Sequence, residues 1–186
     1  MKRNFHLLIP AAIVVAMALP TADRAEAQDY TWTLGIQGGI GGSLKGGGSA
    51  EASFQGGFGI QFEQQAKMWV RVGQSDFSTG SAVGDLGDGS LTYVTAGGEY
   101  QFTEAFYESG LFIGLGGYNV DGRRLLSGGV LGPSDEETVL GLALGATGEF
   151  KITPSVVVLA DLTIHILDHP DLRSLGTFHV GIGFHF

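Results

Sequence analysis

The sequence predicts an all-β protein, an eight-stranded antiparallel up-and-down barrel that crosses a membrane. Three observations carry this reading. Apolar residues alternate with polar or small ones through eight segments, as strands with one apolar face require. The connections between these segments alternate between short and long, and the aromatic residues gather at the strand ends beside the short connections.

In the first segment Tyr30, Trp32, Leu34, Ile36 and Ile40 share a face, and in the second Phe54, Phe58, Ile60 and Phe62 do. The third offers Met68, Val70 and Val72, with Trp69 and Arg71 turned the other way. In the fourth, Val94, Ala96, Tyr100 and Phe102 alternate with Thr95, Gly97, Glu99 and Gln101. The fifth puts Tyr107, Leu111, Ile113 and Leu115 outside, which sends Phe112 and Tyr118 inward; a bulge near Gly114–Gly117 is expected to shift its phase. Leu140, Leu142, Leu144 and Phe150 define the outer face of the sixth, opposite Gly141, Ala143, Gly145, Thr147 and Glu149. Val156, Val158, Leu162 and Ile164 do so in the seventh, with Asp161, Thr163 and His165 inside. The eighth is Phe178 to Phe186, where Phe178, Val180, Ile182, Phe184 and Phe186 oppose His179, Gly181, Gly183 and His185.

Segments of this length suit tilted strands that cross a bilayer. Short connections fall around Glu63–Lys67, Thr103–Ala105 and Lys151–Pro154, and long ones around Gly41–Ser49, Ser75–Ser90, Asp121–Glu137 and Leu167–Ser174. Three tight turns on one side and four longer loops on the other is the count for an even-stranded barrel with both ends on the turn side. Tyr30, Trp32, Phe62, Tyr100, Phe102, Tyr107, Phe150, Phe184 and Phe186 form the expected interfacial belt on that side. A soluble sandwich or lipocalin-like barrel would turn its apolar face inward instead and leave the charged face unaccounted for.

Lys2 and Arg3 precede an apolar run from Leu7 to Leu19, and the stretch closes on Ala25-Glu26-Ala27. Residues 1–27 therefore read as a cleavable secretory signal peptide, too short to span ~30 Å of hydrocarbon, with 28–186 as the single domain. That domain holds seven Lys and Arg against seventeen Asp and Glu, so nucleic acid is not an expected partner. Thirty-two glycines, no cysteine and only 16% charged residues fit short strands and a crowded barrel interior, stabilised by a closed ladder rather than by disulfides.

These residues resemble the small eight-stranded bacterial outer-membrane barrels, the group of OmpX-type, attachment-invasion, opacity and OmpA membrane-domain proteins. The last strand is similar to the carboxy-terminal assembly signal of such barrels, with His179, Gly181, Phe184 and Phe186 at its recurring positions. The resemblance implies a monomer in the outer membrane of a Gram-negative cell. Its partners would be outer-membrane lipid and lipopolysaccharide, the barrel-assembly machinery and an extracellular ligand or cell surface, with no cofactor. It implies a structural or adhesin-like role through four outer loops; a lipid A-modifying enzyme and a narrow, porin-like small-solute channel are the alternatives.

Chemistry would sit among inward charges. Arg71, Glu99, Glu149 and Asp161 share the lumen face, and a lone arginine among three acids predicts a surplus of carboxylate inside. An ion-paired structural plug is the expected role, since eight strands leave little more than side-chain space. Ser174 lies near Asp168, His169 and Asp171, and His165 tops the seventh strand, but no spacing sets a nucleophile beside an oriented base; no catalytic residue is expected. Asp85-x-x-Asp88-Gly89 lacks the further ligands of a calcium loop, and Gly114-x-Gly116-Gly117 lacks the helix of a nucleotide site, so neither a metal nor a cofactor site is expected. Asp135, Glu136 and Glu137, with Arg123 and Arg124, read as ordinary loop charge.

Overall fold

A computed structural model describes residues 30–44, 48–63, 65–78, 86–103 and 107–186. The expected leader and Asp85 lie outside them. The strands are β1 (Thr31–Ser43), β2 (Glu51–Glu63), β3 (Ala66–Ser78), β4 (Leu86–Thr103), β5 (Tyr107–Leu125), β6 (Leu131–Thr153), β7 (Val156–Leu167) and β8 (Ser174–His185). Each pairs antiparallel with the next, and β8 pairs back to β1 through Thr33↔His185 to Ser43↔Leu175, closing an eight-stranded barrel. Closure leaves no strand edge within the wall, which is what allows a sheet to cross hydrocarbon.

The outward parity is apolar and open to the surroundings: Ile36, Phe54, Leu111, Ile113, Leu115, Leu140 and Ile182 are among the exposed large side chains. The aromatic belt sits at the short-turn end, where Tyr100 meets Phe102 edge-on at 5.2 Å and Tyr107 stacks on Phe150 at 6.0 Å. The barrel is thus a transmembrane one, apolar without and polar within.

Two expectations are corrected. No bulge interrupts β5: its register runs unbroken from Glu108 to Gly122 against β4 or β6, and Phe112 and Tyr118 point inward without any change of phase. Much of what reads as the second and third outer loops is strand, since β3 continues to Ser78, β4 begins at Leu86, and β5 and β6 pair as far as Leu125↔Leu131. The reason is solvent. Above the membrane the outer face of a strand meets water, so the pattern inverts: Phe77, Tyr118 and Val120 are buried inside while Asp76 is exposed outside. The turn at the end of this β5–β6 arm places Gly128 and Gly129 at φ 88° and 77°, a region open to glycine at little cost, and Leu126 N–H donates to the Val130 carbonyl across it.

Candidate functional site

The interior is filled from end to end. Near the short turns, Lys67 pairs with Glu149, which also meets His185 Nε2 at 3.2 Å, and Lys151 meets Glu108 at 2.6 Å. One step up, Arg71 meets Asp161 at 2.6 Å and Glu99 at 3.6 Å. Its guanidinium lies 3.9 Å from the centre of the Phe112 ring and 5.5 Å from that of Trp69. Thr163 donates to Asp161 at 2.6 Å and Gln101 to Glu99 at 3.2 Å, so the carboxylates are held by more than charge. The four predicted lumen residues do come together.

Lys67 reduces the expected surplus of carboxylate without removing it, since Lys67 and Arg71 face the three acids Glu99, Glu149 and Asp161. The polar run Glu63–Lys67 reads as a turn, but β3 already starts at Ala66, and the parity that sends Trp69 and Arg71 inward sends Lys67 inward too. Its ammonium is fully buried and lies 4.6 Å from the centre of the Trp69 ring. The remaining free space beside Arg71, Glu99, Glu149 and Asp161 is about 20 Å³, enough for a water molecule and too small for a solute.

Above this layer lie the histidines. His165 is turned into the lumen, with Nδ1 3.2 Å from Tyr118 Oη and Nε2 3.3 Å from Thr177 Oγ1. His179 Nε2 lies 2.7 Å from Ser53 Oγ, a serine–histidine contact that sequence spacing does not reveal because the two residues are 126 positions apart. Both partners are wholly buried, and the neighbouring Asp161 is already engaged by Arg71 and Thr163. The pair has no access for a substrate.

The outer mouth is closed by apolar side chains, Phe77, Leu91, Val120, Leu167, Leu172 and Leu175, with Leu172 supplied by the fourth loop. That loop is drawn in by His169, whose Nδ1 accepts from the N–H groups of Leu172 at 3.0 Å and Asp171 at 3.2 Å. Asp171 is tied to Arg124 at 2.8 Å and His169 Nε2 sits 3.5 Å from Glu137, so the lid is fastened to the β5–β6 arm. His165 and His169 are both buried and make their hydrogen bonds inside the barrel and within the fourth loop, respectively. Ser174 opens β8, and its carbonyl accepts from Leu44 N–H. Among the described residues no group of three or more His, Cys, Asp or Glu is placed to hold a metal ion.

At the seam between β1 and β8, Gly181 lies opposite Gln37. A Cβ there would overlap the Ile36 carbonyl oxygen and come within 2.6 Å of Gln37 Cα. Phe184 and Phe186 face outward, half or more exposed, and the Phe186 backbone exchanges two hydrogen bonds with Trp32, at 2.9 and 3.1 Å. His179 is fully buried.

A closed ladder, an apolar exterior and an ion-paired, plugged lumen define an integral-membrane barrel of the solid-core type. Solved structures agree with that class. The chain is similar to a major outer membrane protein from Thermus thermophilus, with 12% identity and a TM-score of 0.60 over 84% of this chain and 99% of that one. It is similar to Neisserial surface protein A, with 14% identity and a TM-score of 0.57 over 84% and 97%. It is similar also to Ail, the attachment invasion locus protein of Yersinia pestis, with 20% identity and a TM-score of 0.54 over the same shares. The fold is that of the small outer-membrane β-barrels. No protein-family model matches the chain, and no curated protein matches it significantly.

Proposed function

We propose that this is a monomeric outer-membrane barrel, exported by a leader that ends at Ala27, whose role is structural or adhesive and is carried by its outer loops. The observation that carries the reading is the β5–β6 arm. Residues Leu131–Leu140 of β6 have no β7 partner, because β7 ends at Leu167 opposite Gly141, while β5 stays paired with β4 as far as Leu86↔Arg124, so the β4–β6 side of the wall rises above the β7 side of the mouth. Loops held up on a rigid scaffold are where binding surfaces concentrate.

The charge of this surface bears on the partner. Ail is known in complex with the heparin analogue sucrose octasulfate. Here the arm and fourth loop carry Asp121, Asp135, Glu136, Glu137, Asp168 and Asp171 against Arg123, Arg124 and Arg173, which favours a basic protein surface over a sulphated polysaccharide. Cells expressing the protein should adhere to immobilised basic protein more than to immobilised heparin, and shortening the arm by removal of 123–134 should abolish the difference. Equal adhesion of the shortened form would reject the arm as the working surface.

Topology is tested separately. On intact cells a membrane-impermeant maleimide should label Ser127→Cys in the arm turn and leave Ser155→Cys in the β6–β7 turn untouched. The reverse labelling would overturn the orientation. The filled lumen argues against the channel alternative, so purified protein in planar bilayers should pass no steady unitary current, and reproducible conductance steps would restore that alternative. The lipid-modifying alternative finds little support in a serine–histidine pair sealed inside the wall.

The resemblance of His179, Gly181, Phe184 and Phe186 to an assembly signal is part of the same proposal. The outward, half-exposed phenylalanines beside Trp32 are available for reading by the assembly machinery.

A further inference from the structure

The fourth loop joins β7 to β8 across the outer mouth, and its Leu172 is wholly buried among Phe77, Leu91, Val120, Leu167 and Leu175. Its ends are tied to the sheet: Asp168 N–H donates to the Leu140 carbonyl at 3.1 Å and Leu167 N–H to the Arg173 carbonyl at 2.9 Å. Between those ties the N–H groups of Asp171 and Leu172 go to a side chain, His169 Nδ1, at 3.2 and 3.0 Å. One imidazole therefore shapes the turn that carries Leu172 into the mouth.

Two N–H donors directed at one ring nitrogen fix its state. Nδ1 carries no hydrogen, so the ring is neutral with its single N–H on Nε2. Nε2 lies 3.5 Å from Glu137 Oε2 on β6, an exposed carboxylate. The other charged groups packed with the loop are Arg124 on β5, which holds Asp171 at 2.8 Å, and the loop's own Asp168 and Arg173. A proton taken up by His169 would sit on Nδ1 and point at the two hydrogens that need its lone pair, leaving both backbone donors without an acceptor. The same proton makes the ring a cation beside Glu137, so charge draws it toward the arm and away from the loop.

We propose that His169 is a proton-operated latch of the outer mouth. Neutral, it folds the fourth loop over the apolar cup; protonated, it exchanges the two N–H groups for Glu137 and lets Leu172 leave. The mouth is thus closed on the alkaline side and open on the acid side, and histidine is the side chain that changes charge between about pH 5 and 8. Opening uncovers the apolar basin of Phe77, Leu91, Val120 and Leu175, while the ion-paired layer around Arg71 beneath it stays filled. The latch therefore presents a surface without opening a channel.

The test is hydrogen exchange of the full barrel in lipid nanodiscs, read by mass spectrometry at about pH 7.5 and about pH 5 and corrected for the chemical effect of pH on exchange. In the wild type the peptide covering 168–174 should lose protection by about tenfold or more at the acid value, while the strands below the mouth keep theirs and report in the same run that the barrel is folded. His169→Asn isolates the ring's charge: its Oδ1 stands where Nδ1 stood, accepts from the same two N–H groups and does not titrate, so the loop should stay protected at both values. His169→Ala has no acceptor and should be unprotected at both. Glu137→Gln, which removes the charge that receives the protonated ring, should need a lower pH to open. Equal protection of the wild-type loop at the two values would overturn the latch. So would acid opening that persists in His169→Asn, which would assign the response to the carboxylates of Glu137, Asp168 and Asp171 instead.

Discussion

A single methyl group at Gly181 is expected to keep the barrel from closing. The seam between β1 and β8 joins the two ends of the sheet into a barrel, and at Gly181 a Cβ would overlap the Ile36 carbonyl oxygen and crowd Gln37. Overpacking of this kind is relieved only by moving backbone, at a cost of about 3 kcal/mol, a large share of the stability of an ordinary domain. Gly181→Ala should therefore lose most of its compact band in cold SDS after refolding from urea into detergent. Gly98→Ala, where a Cβ meets nothing within 4 Å, should refold like wild type. Full refolding of Gly181→Ala would refute the packing argument. The experiment also separates two roles of the terminal strand. Refolding in detergent involves no assembly machinery, so a defect there belongs to packing, whereas Phe186→Ala should refold in detergent and fail only in cells if the terminal phenylalanine is read as a signal.

Arg71→Met should be the second severe change. It leaves the buried carboxylates of Asp161 and Glu99 without their shared cation, in an interior with room for a water molecule but not for a solvent shell. Removing one member of a buried ion cluster costs about 3–5 kcal/mol, much of it the burden of the stranded charge. The urea midpoint for unfolding from vesicles should fall accordingly, and the combined change Arg71→Met with Asp161→Asn should recover a substantial part of the loss. A double variant as unstable as the single one would show that Arg71 acts through its packing on Phe112 and Trp69 rather than through its charge.

The strands within the membrane were legible because lipid outside and packed polar groups inside impose one parity on every residue between the belts. That parity identified Arg71, Glu99, Glu149 and Asp161 as neighbours before any contact was known. It missed Lys67 because a lysine beside an acidic, glutamine-rich turn looks like turn charge, although its position two residues before Trp69 already placed it on the lumen face. It failed above the membrane for a physical reason: where water replaces lipid, Phe77, Leu91 and Tyr93 become the inside, and an inverted strand reads as an irregular loop. The lid formed by the fourth loop was out of reach altogether, because one histidine accepting two backbone N–H groups leaves no periodic trace in sequence.

The height at which the pattern inverts sets the thickness of membrane this protein fits. On β6 the outward apolar run extends from Ile152, just past Phe150 of the aromatic belt, to Leu140, where polar residues take over. At ~3.3 Å per residue and a strand tilt of ~40°, that run covers ~30 Å of depth, the hydrocarbon thickness of an average bilayer. A thicker bilayer would have to compress around the barrel or draw polar groups of the arm below its surface, so the spacing between two rows of side chains favours one kind of membrane over another.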